Sequence, residues 1–259
     1  MNTVTEFYTY EQPTNERIRA FLRLEKLFRQ FNFHLRQGNA WSNDIAIDSI
    51  NELLAFTSRS DIKLEALKEL ERQHARLERL STRAHIDKNQ LESLLIKQKK
   101  LIMELQSIQG QLGQNTQSIE LLSAIRQKSS IPGCICDFDL PVYQYWQSLP
   151  ESTRKSHLQK WFEPFKILDH SVHLILDVLR HSVEDSNEIA TNGFFQKSID
   201  TNQAIQLLRI SIVANSNYYP EISAGKHRFS IRFMSNEDPS SRPEQYNENI
   251  NFKLNLCTI

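Results

Sequence analysis

Two stretches decide the fold class: LEALKELERQHARLERL at residues 64–80 and LESLLIKQKKLIMELQSIQGQL at residues 91–112. In the first, leucines recur at near-heptad spacing among Lys, Arg and Glu, which is typical of a helix that packs along one stripe. The second has apolar residues at spacings of three and four, the period of a helix. A short link joins them, so we expect helices over 61–83 and 87–112 that form an antiparallel hairpin.

Further helices are expected on both sides of this hairpin. Residues 15–37 have apolar residues at spacings of three and four, and Asn15 can cap the first turn. The opposite side of this helix carries cations that repel one another unless an anion lies alongside, namely Arg19, Arg23 and Lys26. The same period predicts helices at 44–58, 116–128 and 164–183, and one more that Asp139 caps and Pro141 begins.

The period changes in the last third of the chain. Residues 186–202 are polar and predict a loop. After them, apolar and polar residues alternate at 208–212, 229–233 and 250–256, the pattern of half-buried strands. We expect these three strands to form one small antiparallel sheet whose apolar face packs on the helices. The alternating segment at residues 5–10 is a further strand candidate.

Together these patterns predict an α+β fold. A mostly α-helical domain is expected over residues 12–185, with dimerisation as its role, and a β domain over 186–259, which a strand at 4–10 completes. The chain has 259 residues, enough for two domains that each bury a core. Its 31 Lys and Arg balance 31 Asp and Glu. No signal peptide and no apolar run of about 18 residues is present, so we expect a soluble, cytoplasmic protein with no membrane partner.

Several function classes are excluded or disfavoured by glycine and cysteine spacing. The 6 glycines include no G-x-G and no Walker spacing before a lysine, which excludes both common phosphate-binding loops. Only 3 cysteines are present, too few for a disulfide framework or a four-cysteine zinc site. Cys134-x-Cys136 lacks the usual metal spacing. Asp137 and Asp139 are a carboxylate pair with no partner base, and capping explains Asp139 more simply.

Histidines offer one other candidate for chemistry. His170, His173 and Asp177 share one helix face and are a possible metal triad, although that face is more typical of a solvated surface. His74 lies in the near-heptad seam and is read as a packed helix residue. We therefore expect no catalytic residue, no metal and no cofactor.

A basic surface is the feature that suggests binding. Four cations lie at the alternate positions of the predicted strands that point away from the apolar face. We expect them to share one sheet face: Arg209, Arg228, Arg232 and Lys253. A local basic surface on a neutral chain favours a specific anionic partner, although solubilising charge also explains it. A nucleic-acid-binding module is the alternative. It is disfavoured because such sheets expose aromatics, whereas Phe229, Phe233 and Phe252 have the buried parity.

Ordered blocks of sequence then carry a family resemblance. They are NERIRAFLRLE at 15–25, LKELERQ at 67–73, SIPGC at 130–134 with FDLP at 138–141, NGFFQ at 192–196, YPEIS at 219–223 and KHRFSIRFM at 226–234. Together they resemble the ZapD family of Z-ring-associated bacterial cell division proteins, nearly from end to end. The resemblance implies a non-enzymatic homodimer that binds the C-terminal tail of FtsZ and cross-links its filaments at midcell.

The resemblance also implies which residues bind the tail. In the family, the tail-binding surface is basic and lies near the junction of the two domains. By position, the matching cations are Arg19, Arg23, Lys226, Arg228 and Arg232, and further candidates are Lys26, Arg59, Arg126, Arg209 and Lys253. Glu120 and Gln144 stand where family members carry basic or ionisable residues, so this part of the groove is expected to be weaker or adapted to another tail, with Arg126 and Lys128 as compensating cations. The helices at 64–80 and 91–112 are the candidate dimer surface.

Overall fold

The computed structural model describes residues 6–59, 61–80, 87–128, 138–199, 204–225, 227–236, 238 and 240–258. It confirms the α+β fold class. The chain divides into two compact units. The β unit comprises Met1–Ala20 and Leu176–Ile259, and the helical unit comprises Phe21–Ile175. No described helix has both the length and the apolar character that crossing a membrane requires.

The described helices follow the predicted period closely in the first half of the chain. They are α1 (Glu16–Gln37), α2 (Ala40–Arg59), α3 (Ile62–Leu80), α4 (Lys88–Ser107), α5 (Gln114–Gln117), α6 (Glu120–Lys128), α7 (Pro141–Ser148), α8 (Glu151–Phe162) and α9 (Lys166–Arg180), with a 3-10 turn at Glu163–Phe165 before α9. Asn15 caps α1 as expected, since its side-chain oxygen accepts from the Ile18 amide at 2.9 Å.

The antiparallel hairpin of α3 and α4 is confirmed. The Lys63 ammonium donates to the Ile108 carbonyl at 2.8 Å, while His74 hydrogen-bonds Gln98 at 3.3 Å. Lys63 lies near the start of α3 and contacts the segment after α4, whereas His74 lies later in α3 and contacts the middle of α4. The two helices must therefore run in opposite directions. His74 is a packed helix residue, as expected. Leu70 and Leu105 are fully buried, as the apolar stripes require.

Three helix predictions are wrong in detail. The helix expected at 116–128 is two helices, since α5 ends at Gln117 and α6 begins at Glu120. Asp139 does not cap α7. Its carboxylate instead accepts from Lys128 at 3.0 Å, and Leu140 occupies the cap position without a side-chain bond. Helix α8 was not predicted, and it buries only Leu158, Trp161 and Phe162.

Aromatic side chains form much of the core of the helical unit. The Phe31 and Phe162 rings stack with their centroids 4.0 Å apart, and the Phe28 ring meets Phe162 edge to face. Gly113, which precedes α5, has φ of +77°, and a Cβ there would lie 2.6 Å from the Phe165 ring. A side chain at position 113 would therefore be strained in its backbone and would clash with this core.

The strands form two antiparallel sheets, not one. They are β1 (Phe7–Pro13), β2 (Ser186–Ala190), β3 (Phe194–Ser198), β4 (Ile205–Val213), β5 (Tyr218–Ala224), β6 (Arg228–Ser235), β7 (Glu244–Gln245) and β8 (Ile250–Thr258). The first sheet has the order β1-β4-β8-β2. The second has the order β3-β6-β5, with β7 also paired to β6. The loop expected at 186–202 was wrong, because this segment contains β2 and β3.

The two sheets bury their apolar faces in one shared core. Ile210 and Leu254 come from the first sheet and Phe229 and Phe233 from the second, and all four belong to one buried cluster. The Phe233 and Phe252 rings join the sheets, with their centroids 5.3 Å apart. The expectation that the apolar face packs on the helices was therefore wrong. A strand pattern with one apolar face does not say whether a helix or a second sheet covers that face.

The N-terminal strand joins the first sheet through backbone pairing with β4 and through one ionic group. Glu11 accepts two hydrogen bonds from Arg180, both at 2.8 Å, and one from Arg209 at 3.0 Å. Arg209 also donates to the Arg180 carbonyl at 3.4 Å. This carboxylate thus neutralises two guanidinium groups that would otherwise repel each other within the β unit.

We expect Glu11→Gln to lower the free energy of unfolding by about 2 kcal/mol, because two partly buried arginines lose their shared anion. Urea denaturation measures the change. Glu188→Gln is the matched control, since Glu188 pairs at 3.0 Å with the more exposed Lys197, and it should cost less than about 1 kcal/mol. Equal losses in the two variants would contradict a stabilising role for Glu11.

A second ionic contact lies in the helical unit. The His173 ring is 2.6 Å from the Asp169 carboxylate and also bonds the Asp169 carbonyl at 2.9 Å. The side-chain hydrogen bond to Asp169 raises the pKa of His173, although burial opposes it and the buried Glu25 adds a smaller contribution. Because the folded pKa exceeds the unfolded pKa, protonation of His173 stabilises the folded state at low pH. That stability is lost as the pH rises through the folded pKa.

We therefore expect His173→Gln to destabilise the protein more at about pH 5.5 than at about pH 8. Denaturation at both pH values gives the difference. Asp169→Asn should remove the same pH-dependent part of the free energy of unfolding. The double variant should lose no more of this part than either single variant. A His173→Gln effect that is the same at both pH values would rule out this contact as its source.

Candidate binding surface

Strand β6 places two arginines on the outward face of the second sheet. Its residues alternate, so Phe229, Ile231 and Phe233 are fully buried while Arg228 and Arg232 are exposed. The apolar residues cannot leave the core without losing several kcal/mol of burial. Their burial therefore fixes the outward direction of both arginines.

Neighbouring strands give Arg232 one acidic and one aromatic neighbour. It lies opposite Glu221 on β5 and opposite Phe194 on β3, so all three share the outward face. Phe194 is 39% exposed. Across the described residues, neither Arg228 nor Arg232 forms an ion pair with a carboxylate. Both guanidinium groups are thus available to an external acceptor, beside an exposed aromatic ring.

The other two sheet cations do not share this face. Arg209 lies on β4 and Lys253 on β8, both in the first sheet, so the expectation of four cations on one surface was wrong. Arg209 binds Glu11, and the Lys253 ammonium lies 4.3 Å from the centroid of the Phe7 ring. The alternation of side chains along a strand does not show which sheet the strand joins. The sequence pattern therefore grouped Arg209 and Lys253 with Arg228 and Arg232.

Helix α1 carries a second group of cations. Arg19 is partly exposed, and its Nε lies 3.3 Å from Glu16. Arg23 and Lys26 are exposed, and within the described ranges neither has an ion-pair partner. Arg19 and Arg23 are four residues apart and so lie one above the other along the helix.

The remaining candidates are scattered or lie outside the description. Arg126 donates to the Gln117 carbonyl at 3.3 Å, and Lys128 binds Asp139. Glu120 begins α6 and Gln144 lies on α7, and both are exposed. Lys226 and the Arg59 side chain fall outside the described residues, and so do Cys134, Cys136 and Asp137.

The possible metal triad does not form. Asp169, which is buried, holds His173, whereas His170 and Asp177 are exposed. Within the described ranges, no group of three or more His, Cys, Asp or Glu side chains is placed to hold a metal.

Sequence reasoning missed Phe194 and Glu221, because β3 and β5 were not expected. One available signal was Asn192-Gly193, the dipeptide typical of tight hairpin turns. Both residues have positive φ, 49° and 70°, as that turn requires. Aromatic residues follow the turn at Phe194 and Phe195, which favours a strand there.

Comparison with known proteins gives one consistent family. The family model described as "ZapD: Cell division protein" matches residues 22–232. A protein of Methylococcus capsulatus named "Cell division protein ZapD" is 36% identical over 250 residues, covering 96% of this chain and 98% of the relative. Proteins with the same name from Bordetella petrii and Nitrosomonas europaea are 36% and 34% identical, again over 96% of this chain, covering 98% and 95% of their own lengths. A match of this length and identity assigns the chain: it belongs to the ZapD family of cell division proteins.

Proposed function

We propose that this protein is a non-enzymatic cell division factor that binds the C-terminal tail of FtsZ. As a homodimer it would cross-link and bundle FtsZ filaments in the cytoplasm, and so stabilise the Z ring at midcell during division septum assembly. Family membership supports the role in division. The observation that carries the binding proposal is the pair of exposed arginines on the outward face of β6, which form no ion pair with any described carboxylate.

The arginines suit a short acidic peptide. A guanidinium group presents a planar fork of donors, which can bind a carboxylate with two parallel hydrogen bonds or bind backbone carbonyls of an extended chain. Arg228 and Arg232 lie four residues apart on one strand, so about 13 Å separates their backbones. This spacing fits two acceptors on one extended tail. We propose that Lys226, Arg19 and Arg23 contribute further positive charge.

Phe194 adds an apolar contact beside Arg232. An exposed phenylalanine next to a guanidinium group gives a tail with neighbouring acidic and apolar residues a surface for both. Glu221, on the other side of Arg232, would repel a carboxylate placed there. The tail is therefore proposed to lie toward β3 rather than toward β5.

Bundling follows from two weak tail-binding sites on one dimer. A disordered tail loses conformational freedom when it binds, so each site is expected to be weak and sensitive to salt. A symmetric dimer presents two sites, and a filament presents many tails. Avidity then gives tight cross-linking from modest single-site affinity.

An exposed apolar stripe on α4 supports the proposed dimer surface. Ile96 is 63% exposed and Met103 is 61% exposed, and a spacing of seven residues puts them on one helix face. Leu64 on the adjacent α3 is 37% exposed. We propose that Ile96 and Met103, together with the exposed Leu64, pack against their copies in a second protomer.

Nucleic acid binding is the competing function for the same arginines. The exposed Phe194 beside Arg232 weakens the earlier argument against it, because an aromatic ring beside a cation is also how sheets bind single strands. Binding to any polyanion with a steep salt dependence would identify that function.

The first experiment measures binding of a labelled FtsZ C-terminal tail peptide by fluorescence anisotropy. Arg232→Glu should weaken binding at least tenfold, because it removes a charge-assisted hydrogen bond and adds repulsion. Arg228→Glu should act in the same direction. Lys160→Glu on α8 changes the net charge equally at an exposed site and should have little effect. Equal weakening by Lys160→Glu would contradict the assigned site.

Single-stranded DNA of matched length, added as competitor, separates the two functions. Saturable peptide binding that DNA does not displace supports the FtsZ-tail proposal. Displacement by DNA at comparable concentrations supports the nucleic-acid alternative, and absence of peptide binding would contradict the FtsZ-tail proposal.

The second experiment tests the dimer. Ile96→Asp combined with Met103→Asp should convert the dimer to a monomer, because burying two new carboxylates is costly. Sedimentation equilibrium measures the mass. The variant should still bind the tail peptide but no longer pellet FtsZ filaments as bundles. A variant that stays dimeric would show that the dimer forms elsewhere.

A further inference from the structure

Strand β1 is an edge of the first sheet, since among the described strands it pairs with β4 only. In an antiparallel pair, the residues that exchange hydrogen bonds alternate with residues whose backbone groups point away. The Glu6 carbonyl accepts from the Ala214 amide, and the Thr14 amide donates to the Gln206 carbonyl. The backbone N–H and C=O groups of the even-numbered residues of β1 therefore point toward β4.

The odd-numbered residues consequently turn their backbone groups to the open edge. These are Phe7, Thr9 and Glu11, each with one N–H and one C=O. Pro13 has the same parity, and it lacks an N–H group. Proline within a sheet is found where no ladder donor is needed, so its position agrees with this assignment. Within the described chain, no backbone bond of the outward amides crosses this edge.

A cleft of about 360 Å³ is lined by residues of β1 and of the end of β4, entirely within the β unit. Tyr8, Tyr10 and Tyr218 line it together with Glu6 and the end of β4. Tyr8 and Tyr10 have the parity of the core-facing side, and their rings meet edge to face at 5.0 Å. Tyr8 remains 61% exposed, so part of the aromatic surface is accessible from solvent.

The chemistry of the cleft favours a cation. Aromatic faces carry negative charge density that attracts ammonium and guanidinium groups, and a carboxylate strengthens this preference. No phenol of the three tyrosines has a hydrogen-bond partner among the described residues, so each oxygen can accept from a guanidinium donor. An acidic ligand would instead meet repulsion from Glu6. The cleft therefore favours a positively charged ligand, whereas the arginines on β6 favour a negatively charged one.

We propose that β1 is a docking site for an extended basic peptide. The peptide adds a fifth strand to the first sheet by bonding the outward groups of Phe7 and Thr9, and it places one Arg or Lys side chain in the tyrosine cleft. Side chains of an added strand point alternately to the two faces of the sheet. Those on the face that carries Tyr8 and Tyr10 therefore lie next to these tyrosines. This site is separate from the proposed FtsZ-tail surface and takes a ligand of opposite charge.

The probe is an acetylated and amidated pentapeptide, Thr-Val-Arg-Val-Thr, with a fluorophore at one end. A matched peptide carries citrulline, which keeps the shape of arginine without its charge. We expect saturable binding of the arginine peptide to the full chain, and binding of the citrulline peptide that is about tenfold weaker. Failure of the arginine peptide to bind, or equal affinity of both peptides, would overturn the proposal.

Two variants at one position separate strand addition from other effects. Thr9→Pro removes an outward N–H and should abolish binding. Thr9→Val is the control: both variants lose the 2.7 Å hydrogen bond between the Thr9 and Ser211 hydroxyls, but Thr9→Val keeps the N–H and should bind normally. Thermal unfolding by circular dichroism checks that both variants fold. Equal loss of binding in both would overturn strand addition.

The tyrosine contribution is measured with Tyr8→Ala. This variant should lower the affinity for the arginine peptide to that of the citrulline peptide and leave citrulline binding unchanged. A uniform loss for both peptides would overturn the cation site. Dissociation of a homodimer by Thr9→Pro would assign the edge to a second copy of the chain and would likewise overturn the peptide proposal.

Discussion

The packing of two sheets against each other through β6 is the constraint on which the candidate binding surface depends. Phe229, Ile231 and Phe233 fill the interior of the sandwich, where their rings and methyl groups contact side chains from the first sheet. Because side chains alternate along a strand, this burial leaves Arg228 and Arg232 no orientation but outward. The surface is thus set by the core beneath it and does not depend on a loop conformation.

The cations of the chain divide into those with internal partners and those without. Arg209 and Arg180 share Glu11, which is distant from both in sequence, and Lys128 binds Asp139. Arg228 and Arg232 form no such ion pair in the described structure. A guanidinium group that already binds a carboxylate of the chain gains little from an external anion, whereas an exposed guanidinium group without such a partner keeps its donors available. Internal pairing therefore leaves Arg228 and Arg232 better placed than Arg209 or Lys128 to bind an external anion.

Much of the helical part was predictable, because its signals are local. The period of α1, α3 and α4 is visible in any window of about 15 residues, and the Asn15 cap and the Pro141 start are fixed by adjacent residues. The elements that were not predicted include α8, whose sequence has weak periodicity, and the strands β2, β3 and β5, each of which pairs with a separate segment of the chain. Asp139 failed for the same reason, because Lys128 competed for the carboxylate that the cap would use.

The amino-acid sequence by itself determined the fold class, the hairpin, the parity of the arginines on β6 and, through its ordered blocks, the family. Each of these depends on residue spacing along one segment or on matching order. Only the tertiary structure decided that the strands form two sheets, that Arg209 and Lys253 lie apart from Arg228 and Arg232, and that Phe194 and Glu221 flank Arg232. The physical reason is that strand pairing joins residues through long-range backbone hydrogen bonds, and periodicity within a strand carries no information about its partner.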